Sequence, residues 1–349
     1  MKGGISSLAK IWNKLLEGFV KNSSVKAISW QSIPTITADE LEEIRQFFSR
    51  RKFFIFGHAR SGTTLLARLI RLHPSVHCNW QAHFFTRFPF VHTLVTDPDI
   101  HEWLTRRSNR WNQGKDPSAL LLRLTCDFLL EREAAQFGKE IVGDKSPNSL
   151  VNGEAVRRAY TIYPDASLIY ILRDGRDTIL SHRFQSFIDS PQYLSKQDLR
   201  LRDEFIRQPQ PFLQGKKSIF TPKSFLRAVE EWVENVETTV ALGRELYGER
   251  FLIVRYEDLL AKAWEEMQKV WGFVGVSSIE PDLEPALQAE MQENPDAEWQ
   301  SQKAAQIAQL LRKGQSGSWW ELFTPQEKAL FLEKARATLQ AWGYPTDTH

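Results

Sequence analysis

Residues 57–64 read Gly-His-Ala-Arg-Ser-Gly-Thr-Thr, directly after the apolar run at residues 52–56 and before a helix-like stretch. A strand, a glycine turn and a helix start in this order predict a phosphate-binding loop, in which backbone N–H groups at a helix N-terminus hold an anion. An ATP-binding loop carries a lysine after its second glycine. Thr63 stands there instead, and Arg60 brings a cation into the loop. The sequence therefore keeps an anion site without the lysine that binds ATP.

Two further segments carry cations at positions that suit phosphate groups. Arg173 ends the strand-like run at residues 166–172, and Ser181 follows about two helical turns later. Ligands of parallel α/β sheets bind beyond the carboxyl ends of the strands, so this guanidinium and this hydroxyl can converge on a second phosphate. Near the C-terminus, residues 312–314 read Arg-Lys-Gly, which places two adjacent cations on a glycine-flanked backbone.

At these three segments the chain resembles the sulfotransferases that use 3′-phosphoadenosine 5′-phosphosulfate (PAPS). The glycine loop is similar to their 5′-phosphosulfate loop, the Arg173 segment to their 3′-phosphate motif, and the Arg-Lys-Gly segment to their C-terminal element. The last departs from the family at Ser318 and Glu321, where Asp and Asn are common. The resemblance implies sulfuryl transfer to an acceptor hydroxyl. It also implies these cofactor contacts: Gly57, Arg60, Ser61, Gly62, Thr63, Thr64, Arg173, Ser181, Arg312, Lys313 and Gly314.

Two more segments extend the resemblance. Tyr256 opens a Tyr-Glu-Asp turn after a strand-like run, and in the family the matching tyrosine lies against the adenine. Residues 143–147 read Gly-Asp-Lys-Ser-Pro, similar to the segment of glycan sulfotransferases whose lysine lies near the transferring sulfuryl group. The resemblance therefore implies that Tyr256 binds adenine and that Lys145 and Arg60 act as catalytic cations. Side-chain cations in this role leave no need for a metal, and the sequence shows no convincing set of metal ligands.

The general base is expected in the segment after the loop. Glycan sulfotransferases carry Glu-x-His-Phe-Phe there, with the glutamate as base, whereas residues 81–85 read Gln-Ala-His-Phe-Phe. A glutamine cannot take up a proton and a histidine ordinarily titrates near neutrality, so we predict that His83 is the base. The alternative is that His83 only lines the pocket. Trp80, Trp103 and Trp111 also fall in this region, which leaves an aromatic acceptor site open.

Two rival functions remain open at this stage. An ATP-dependent kinase of the phosphate-loop class would use Asp174 as a ligand of Mg²⁺, although Thr63 at the lysine position argues against it. A catalytically silent nucleotide-binding scaffold would explain Gln81 at the position of the base. Binding of PAPS without turnover would favour the scaffold, and a requirement for Mg²⁺ would favour the kinase.

Two polar clusters are given structural roles. Residues 73–78 contain two histidines and a cysteine, but Pro74 interrupts a helical register and no second ligand pair follows at a typical spacing. We therefore predict a surface loop there. Arg176 and Asp177 are predicted to form an ion pair around the turn after the Arg173 strand.

The chain is predicted to form a single α/β domain of the phosphate-loop type, with a central parallel sheet and helices on both faces. Alternation of strand-like and helical runs is the pattern of such a sheet. The strand-like runs are 53–56, 140–143, 167–172 and 251–254, and the helical runs are 63–72, 118–136, 178–188, 224–247 and 261–273.

The predicted domain covers residues 40–349, after an N-terminal amphipathic helix and connector at residues 1–39. Residues 189–223 are predicted to form a flap, and residues 277–311 a polar segment before the C-terminal motif. Apolar positions recur at helical spacing through residues 5–20, with lysines between them. Such a helix could make a peripheral contact with a membrane; docking on its own domain or on a partner subunit is the alternative.

Composition narrows the class further. The chain has 349 residues, is 42% hydrophobic and carries a formal net charge of +2, which fits a globular domain and gives no sign of a nucleic-acid partner. Two cysteines do not make a disulfide scaffold, and no apolar run is long enough to span a membrane, so we expect a cytoplasmic protein. The expected acceptor is a hydroxyl of a small molecule, a lipid or a glycan. Phenols, polyketides and peptides also stay open, and nothing indicates the oligomeric state.

Overall fold

The structure is a computed structural model. It describes residues 29–86, 90–108, 112–148, 150–277, 280–293, 307 and 317–346. The strands in this part of the chain are β1 (Arg51–Phe56), β2 (Val76–Trp80), β3 (Ile141–Lys145), β4 (Ser167–Leu172) and β5 (Phe251–Arg255). They form a parallel sheet in the order β2-β3-β1-β4-β5. The central strand, β1, is therefore the strand that leads into the glycine loop.

One helix of the described chain precedes β1, and the others lie between the strands or after the last of them. Those that precede β4 are α1 (Ala38–Arg45), α2 (Thr63–Ile70), α3 (Thr93–Thr96), α4 (Pro98–Thr105), α5 (Ser118–Gln136) and α6 (Glu154–Ile162). Those that follow it are α7 (Gly175–Asp189), α8 (Lys196–Arg207), α9 (Gln210–Leu213), α10 (Pro222–Tyr247), α11 (Tyr256–Ala261), α12 (Ala263–Val274), α13 (Leu283–Gln292), α14 (Trp319–Leu322) and α15 (Pro325–Ala341). All five predicted helical runs are present, with ends that differ by a few residues.

Two hydrophobic cores lie on opposite faces of the sheet. Successive side chains of a strand point to opposite faces, so Phe53 and Ile55 of β1 belong to one core and Phe54 to the other. Trp271 from α12 packs in the first core and Trp232 from α10 in the second. The predicted fold, a parallel sheet with helices on both faces, is confirmed.

The prediction of a surface loop at residues 73–78 is wrong. β2 occupies residues 76–80 and pairs with β3 in parallel, and both His77 and Cys78 are buried. Val76 and Cys78 face the core that contains Trp271, whereas the intervening His77 faces the other side of the sheet. Apolar and polar residues alternate through this stretch, which is a strand signal that its polar content obscures.

Segments that the sequence sets apart from the core also contribute to it. Trp30, Ile33 and Ile36, in the predicted connector, are buried in the core that contains Trp232. The predicted flap contains α8 and α9, and its Phe205 and Phe212 are fully buried. The polar segment before the C-terminal motif includes α13. The N-terminal helix predicted at residues 5–20 lies outside the described residues, and the division into 1–39 and 40–349, like the opening of a flap, stays a prediction.

Among the residues that the structure describes, no helix is both long and apolar enough to cross a membrane.

Candidate functional site

The glycine loop lies at the carboxyl end of β1, between β1 and α2. Its first residue has no room for a side chain, because a Cβ on Gly57 would lie 2.7 Å from the carbonyl oxygen of Ile171 in β4. Gly62 precedes α2 with a φ of 96°, and within the described residues no side chain caps this helix N-terminus. The first amides of α2 therefore point into the site without a side-chain acceptor, which suits an anion.

Two predicted phosphate contacts meet at this loop. The Nε of Arg60 donates a hydrogen bond to Ser181 Oγ over 3.2 Å, and Arg173 Nη1 donates to the backbone oxygen of Arg60 over 3.2 Å. Arg60 itself has a φ of 76°, so the loop turns sharply where it meets Arg173. The Nε of Arg173 is buried without a hydrogen-bond partner among the described residues. A buried donor of this kind suits an oxygen of a bound phosphate.

The side chain of Tyr256 packs against the glycine loop. A Cβ on Gly62 would lie 2.3 Å from Cδ2 of Tyr256, and the guanidinium carbon of Arg173 lies 4.7 Å from the centre of its ring. The side chain is largely buried, at 8% exposure. The ring therefore contacts both the loop and Arg173, one of the residues predicted to bind phosphate. Its contact with adenine stays a prediction.

Lys145 brings a cation to the N-terminus of α2 from the end of β3. Its Nζ donates to Thr64 Oγ1 over 3.3 Å, and the residue is only 1% exposed. The indole of Trp80, which pairs with Lys145 in the sheet register, covers the ammonium at 4.6 Å from its ring centre. This is a cation–π contact, and 49% of Trp80 remains exposed. The indole therefore forms part of the wall of the site.

His83 lies beside the same end of β3. Its backbone N–H donates to Ser146 Oγ over 2.9 Å, and its Nδ1 lies 2.7 Å from Thr86 Oγ1. The residue is half-buried with a φ of 51°, whereas Gln81 is exposed. The predicted base is therefore held near Lys145, and its catalytic role stays a prediction.

Burial shifts the ionisation of groups around the loop. It raises the pKa of Asp144 to about 6, although hydrogen bonds from Ser146 and from the amide of Ala82 oppose the shift. Burial also lowers the pKa of His58, so this loop residue favours its neutral form. Burial raises the pKa of Cys78 well above its usual value, which keeps the thiol protonated.

The predicted ion pair between Arg176 and Asp177 is wrong. Neighbouring residues on a helix point in different directions, so these two side chains do not face each other. Arg176 instead binds the carboxylate of Asp174, with Nε 2.9 Å from Oδ1 and Nη2 2.5 Å from Oδ2. Both oxygens of Asp174, the metal ligand of the kinase interpretation, are thus taken by a guanidinium. In the described part of the chain, no group of three or more His, Cys, Asp or Glu side chains could hold a metal ion.

The C-terminal element is described only in part. Arg312, Lys313 and Gly314 lie outside the described residues, as does Trp111. The residues that follow are bound to α7, since the carboxylate of Asp177 accepts the amide of Gly317 at 2.6 Å and that of Trp319 at 3.3 Å. Asp177 lies about one turn before Ser181 on α7. The end of the element is therefore anchored on the helix that carries Ser181.

Three residues of the site were missed by sequence reasoning. Asp177 is predicted from the sequence only as half of an ion pair, whereas Trp80 is among the tryptophans that leave an aromatic acceptor site open. Asp144 and Ser146 flank Lys145, and their adjacency to a proposed catalytic lysine was the available signal.

A central parallel strand, a glycine loop and an uncapped helix N-terminus, with cations converging from other elements, define an α/β protein of the phosphate-loop class. The sequence model of the Sulfotransferase family matches residues 52–281, which is more than half of the chain. The chain therefore belongs to the sulfotransferase family, as its motifs predict.

Several known proteins are similar to it. A protein-tyrosine sulfotransferase of Drosophila melanogaster is 23% identical over an alignment of 233 residues that covers 64% of this chain and 38% of that protein. The chain thus spans well under half of that relative. The mouse sulfotransferase SULT7A1 was solved in complex with PAP (3′,5′-adenosine bisphosphate). It is 17% identical with a TM-score of 0.42, and the match covers 88% of this chain and 94% of the mouse chain. A sulfotransferase from Alicyclobacillus acidocaldarius is 23% identical with a TM-score of 0.38, covering 77% and 98%.

Proposed function

We propose that this protein transfers the sulfuryl group of PAPS to an acceptor hydroxyl and releases 3′,5′-adenosine bisphosphate (PAP). The observation that carries the proposal is the convergence of Lys145, Arg60 and Arg173 on the loop at the start of α2. PAPS carries two separate anionic groups and needs two cationic subsites. The loop with Lys145 supplies one, and Arg173 with Ser181 supplies the other.

The residues fit a bound phosphate in two further respects. The buried Nε of Arg173 has no partner among the described residues, and an oxygen of a bound phosphate would satisfy it. Gly57 and Gly62 let the loop backbone pack closely against Ile171 and Tyr256, which fixes the position of the loop at the start of α2. Arg312, Lys313 and Gly314 are proposed to complete the 3′-phosphate subsite, on the element that Asp177 anchors.

PAPS supplies a sulfuryl group on a phosphate leaving group. The sulfur–oxygen bond to that phosphate breaks as the acceptor oxygen bonds to sulfur, and the acceptor loses its proton. Lys145, Arg60 and the amides of α2 would stabilise the charge that develops on the leaving phosphate. Such preorganised donors are worth most in a site that excludes water, and Lys145 is buried.

His83 is the proposed general base. Two observations support this role: His83 is half-buried, and its backbone is bound to Ser146, the residue that follows Lys145. Thr86 contacts Nδ1 and limits the rotation of the ring. Gln81 is exposed and cannot accept a proton. The proposed acceptor is a hydroxyl of a small molecule, a lipid or a glycan, with the exposed part of Trp80 as one wall.

A kinase is the less favoured function, because Thr63 replaces the loop lysine and Asp174 is bound by Arg176. A cytoplasmic location, and a membrane contact through residues 5–20, remain proposals from the sequence.

Calorimetric titration with PAP, and separately with ATP and Mg²⁺, tests the cofactor class. Tight binding of PAP and weak binding of ATP is the expected result, and the reverse order would overturn the proposal. A second assay uses PAPS with labelled sulfate and four probes: a tyrosine peptide, 4-nitrophenol, an amino-sugar disaccharide and a long-chain alcohol. Transfer to any probe establishes an enzyme, whereas binding of PAP without transfer to any of them supports the scaffold interpretation.

A further inference from the structure

We propose that Asp144 is a positioning residue, which holds the turn at residues 81–83, and with it His83, against the end of β3. This inference rests on the proposed function of the site, because it takes His83 to act on the acceptor. Asp144 itself would touch neither PAPS nor the acceptor.

The turn is bound to β3 by three successive amides. Each of them donates to a different residue at the end of the strand: Gln81 N to Lys145 O at 2.8 Å, Ala82 N to Asp144 Oδ1 at 2.9 Å and His83 N to Ser146 Oγ at 2.9 Å. Because the partners are consecutive, the position of the turn follows the end of β3 closely. The proposed base and the proposed catalytic cation are therefore both positioned by the same three residues, 144–146.

The ionised carboxylate of Asp144 sets the direction of this network. One of its oxygens accepts the amide of Ala82, and the other accepts a hydrogen bond from the hydroxyl of Ser146. An ionised carboxylate can only accept hydrogen bonds, so the Ser146 hydroxyl must donate to it. A lone pair of the Ser146 oxygen then faces the amide of His83, as that amide requires.

The turn needs such support because its backbone is strained. Gln81 and His83 both lie in the left-handed region, with φ angles of 57° and 51°. For residues other than glycine this conformation costs on the order of 1–2 kcal/mol each and persists only where surrounding contacts impose it. Without its hydrogen bonds to β3, the turn would relax and move the imidazole.

The two faces of β3 serve different halves of the site. Successive residues of a strand point to opposite faces, so Lys145 reaches Thr64 on α2 while Asp144 points away from that helix. Asp144 is only 2% exposed, and its burial raises its pKa to about 6. A buried carboxylate therefore costs stability here. Retaining it in place of a neutral side chain is consistent with a role in function.

The test compares Asp144→Ala with the isosteric Asp144→Asn, which keeps an acceptor for the amide of Ala82. Three quantities are measured: amide hydrogen exchange at residues 81–83, the Kd for PAP, and kcat with the probe acceptor that gives the highest rate. In Asp144→Ala we expect amide exchange at residues 81–83 to accelerate and kcat to fall, each by about tenfold or more. The Kd for PAP should stay within about twofold of the wild-type value. Asp144→Asn should restore slow exchange at the Ala82 amide but recover only part of the loss of kcat, because its NH2 group cannot accept the hydrogen bond from Ser146.

Ser146→Ala keeps the test decisive if Asp144→Ala does not fold. It removes the acceptor of the His83 amide and should accelerate exchange at that amide and lower kcat in the same way. Unchanged exchange and unchanged kcat in these folded variants would overturn the inference. If the wild-type protein transferred no sulfate, the proposed function would fail, and the exchange data alone would decide whether Asp144 holds the turn.

Discussion

The Nζ of Lys145 lies 3.3 Å from Oγ1 of Thr64, so a cation from β3 reaches the helix N-terminus where ATP-binding loops carry their own lysine. Thr63 occupies that lysine position in this chain. The loop has therefore not lost its cation, because a neighbouring strand provides one. The ammonium approaches from the side of β2 and β3, on which His83 also lies.

This arrangement predicts that Lys145→Met lowers kcat by roughly 10²–10³, because a preorganised donor to the transition state is lost. The PAP affinity should fall much less, since the other loop donors remain. Rates and calorimetric titrations of the variant would be compared with those of Lys334→Met, which removes an exposed lysine on α15. Equal losses of kcat in the two variants would exclude a catalytic role for Lys145.

Arg173→Ala should weaken PAP binding by roughly 10- to 100-fold, as expected for charge-assisted hydrogen bonds, with a smaller effect on the chemical step. The matched control is Arg227→Ala, which removes an arginine that pairs with Glu231 on the surface of α10. Titrations at two salt concentrations would measure the affinities. A Kd equal to that of the control would contradict the assignment of Arg173 to the 3′-phosphate.

Gly62→Ala should abolish tight PAP binding, because its Cβ would collide with the ring of Tyr256 and displace the loop. Gly138→Ala separates this collision from backbone strain. Gly138 also has a positive φ, of 63°, but nothing lies within 4 Å of the added atom. It should cost on the order of 1 kcal/mol of stability and leave the Kd unchanged. Thermal unfolding and calorimetry of both variants check this contrast.

His83→Ala should lower kcat by roughly 10²–10⁴, the usual contribution of a general base, while the Kd for PAP stays nearly constant. The Kd serves as the internal control for folding of the donor site. Full activity of His83→Ala would show that the base assignment is wrong and that the residue only lines the pocket.

Asp144→Asn should be more stable than the wild-type protein near neutral pH. Burial raises the pKa of Asp144 from its ordinary 3.8 to about 6, so the folded state binds this proton more tightly than the unfolded chain. The contribution of this carboxyl to the free energy of unfolding is fully present below about pH 4, where it is protonated in both states. It is lost as the pH rises through about 6 and the folded state loses its proton. The predicted gain above that range is on the order of 3 kcal/mol, since one pKa unit corresponds to about 1.4 kcal/mol.

Urea unfolding of both proteins at several pH values between about 4 and 8 measures this difference. The gain of Asp144→Asn should grow between about pH 4 and pH 6 and then stay level. A difference that does not change with pH would contradict the linkage.

Sequence patterns predicted the parts of the fold that rest on local periodicity. The helix at residues 118–136 has the predicted bounds, because its long run without glycine or proline ends at recognisable signals. β2 was missed because its polar residues, His77 and Asn79, find partners only in the folded protein. The side-chain amide of Asn79, for example, binds the carbonyl oxygens of Leu130 and Gly143.

The site was predictable where residues that lie together in the fold are also close in the sequence, as in the glycine loop and in the pair of Arg173 and Ser181. The hydrogen bonds that hold the turn at residues 81–83 were not predictable, because the bond from the Ala82 amide to Asp144 joins positions 62 residues apart. Whether such groups meet depends on the register of β2 against β3, which no local pattern specifies.

The order of the strands divides the proposed enzyme into two halves. β1, β4 and the helix that carries Ser181 hold the predicted phosphate contacts, whereas β2 and the end of β3 carry Trp80 and the turn with His83. Lys145 and His83 of the second half are proposed to serve the transfer itself, but substitutions at its other positions, such as Trp80, are expected to alter the acceptor without changing the predicted phosphate contacts. Selection for new acceptors, in nature or in the laboratory, can therefore act on one edge of the sheet alone.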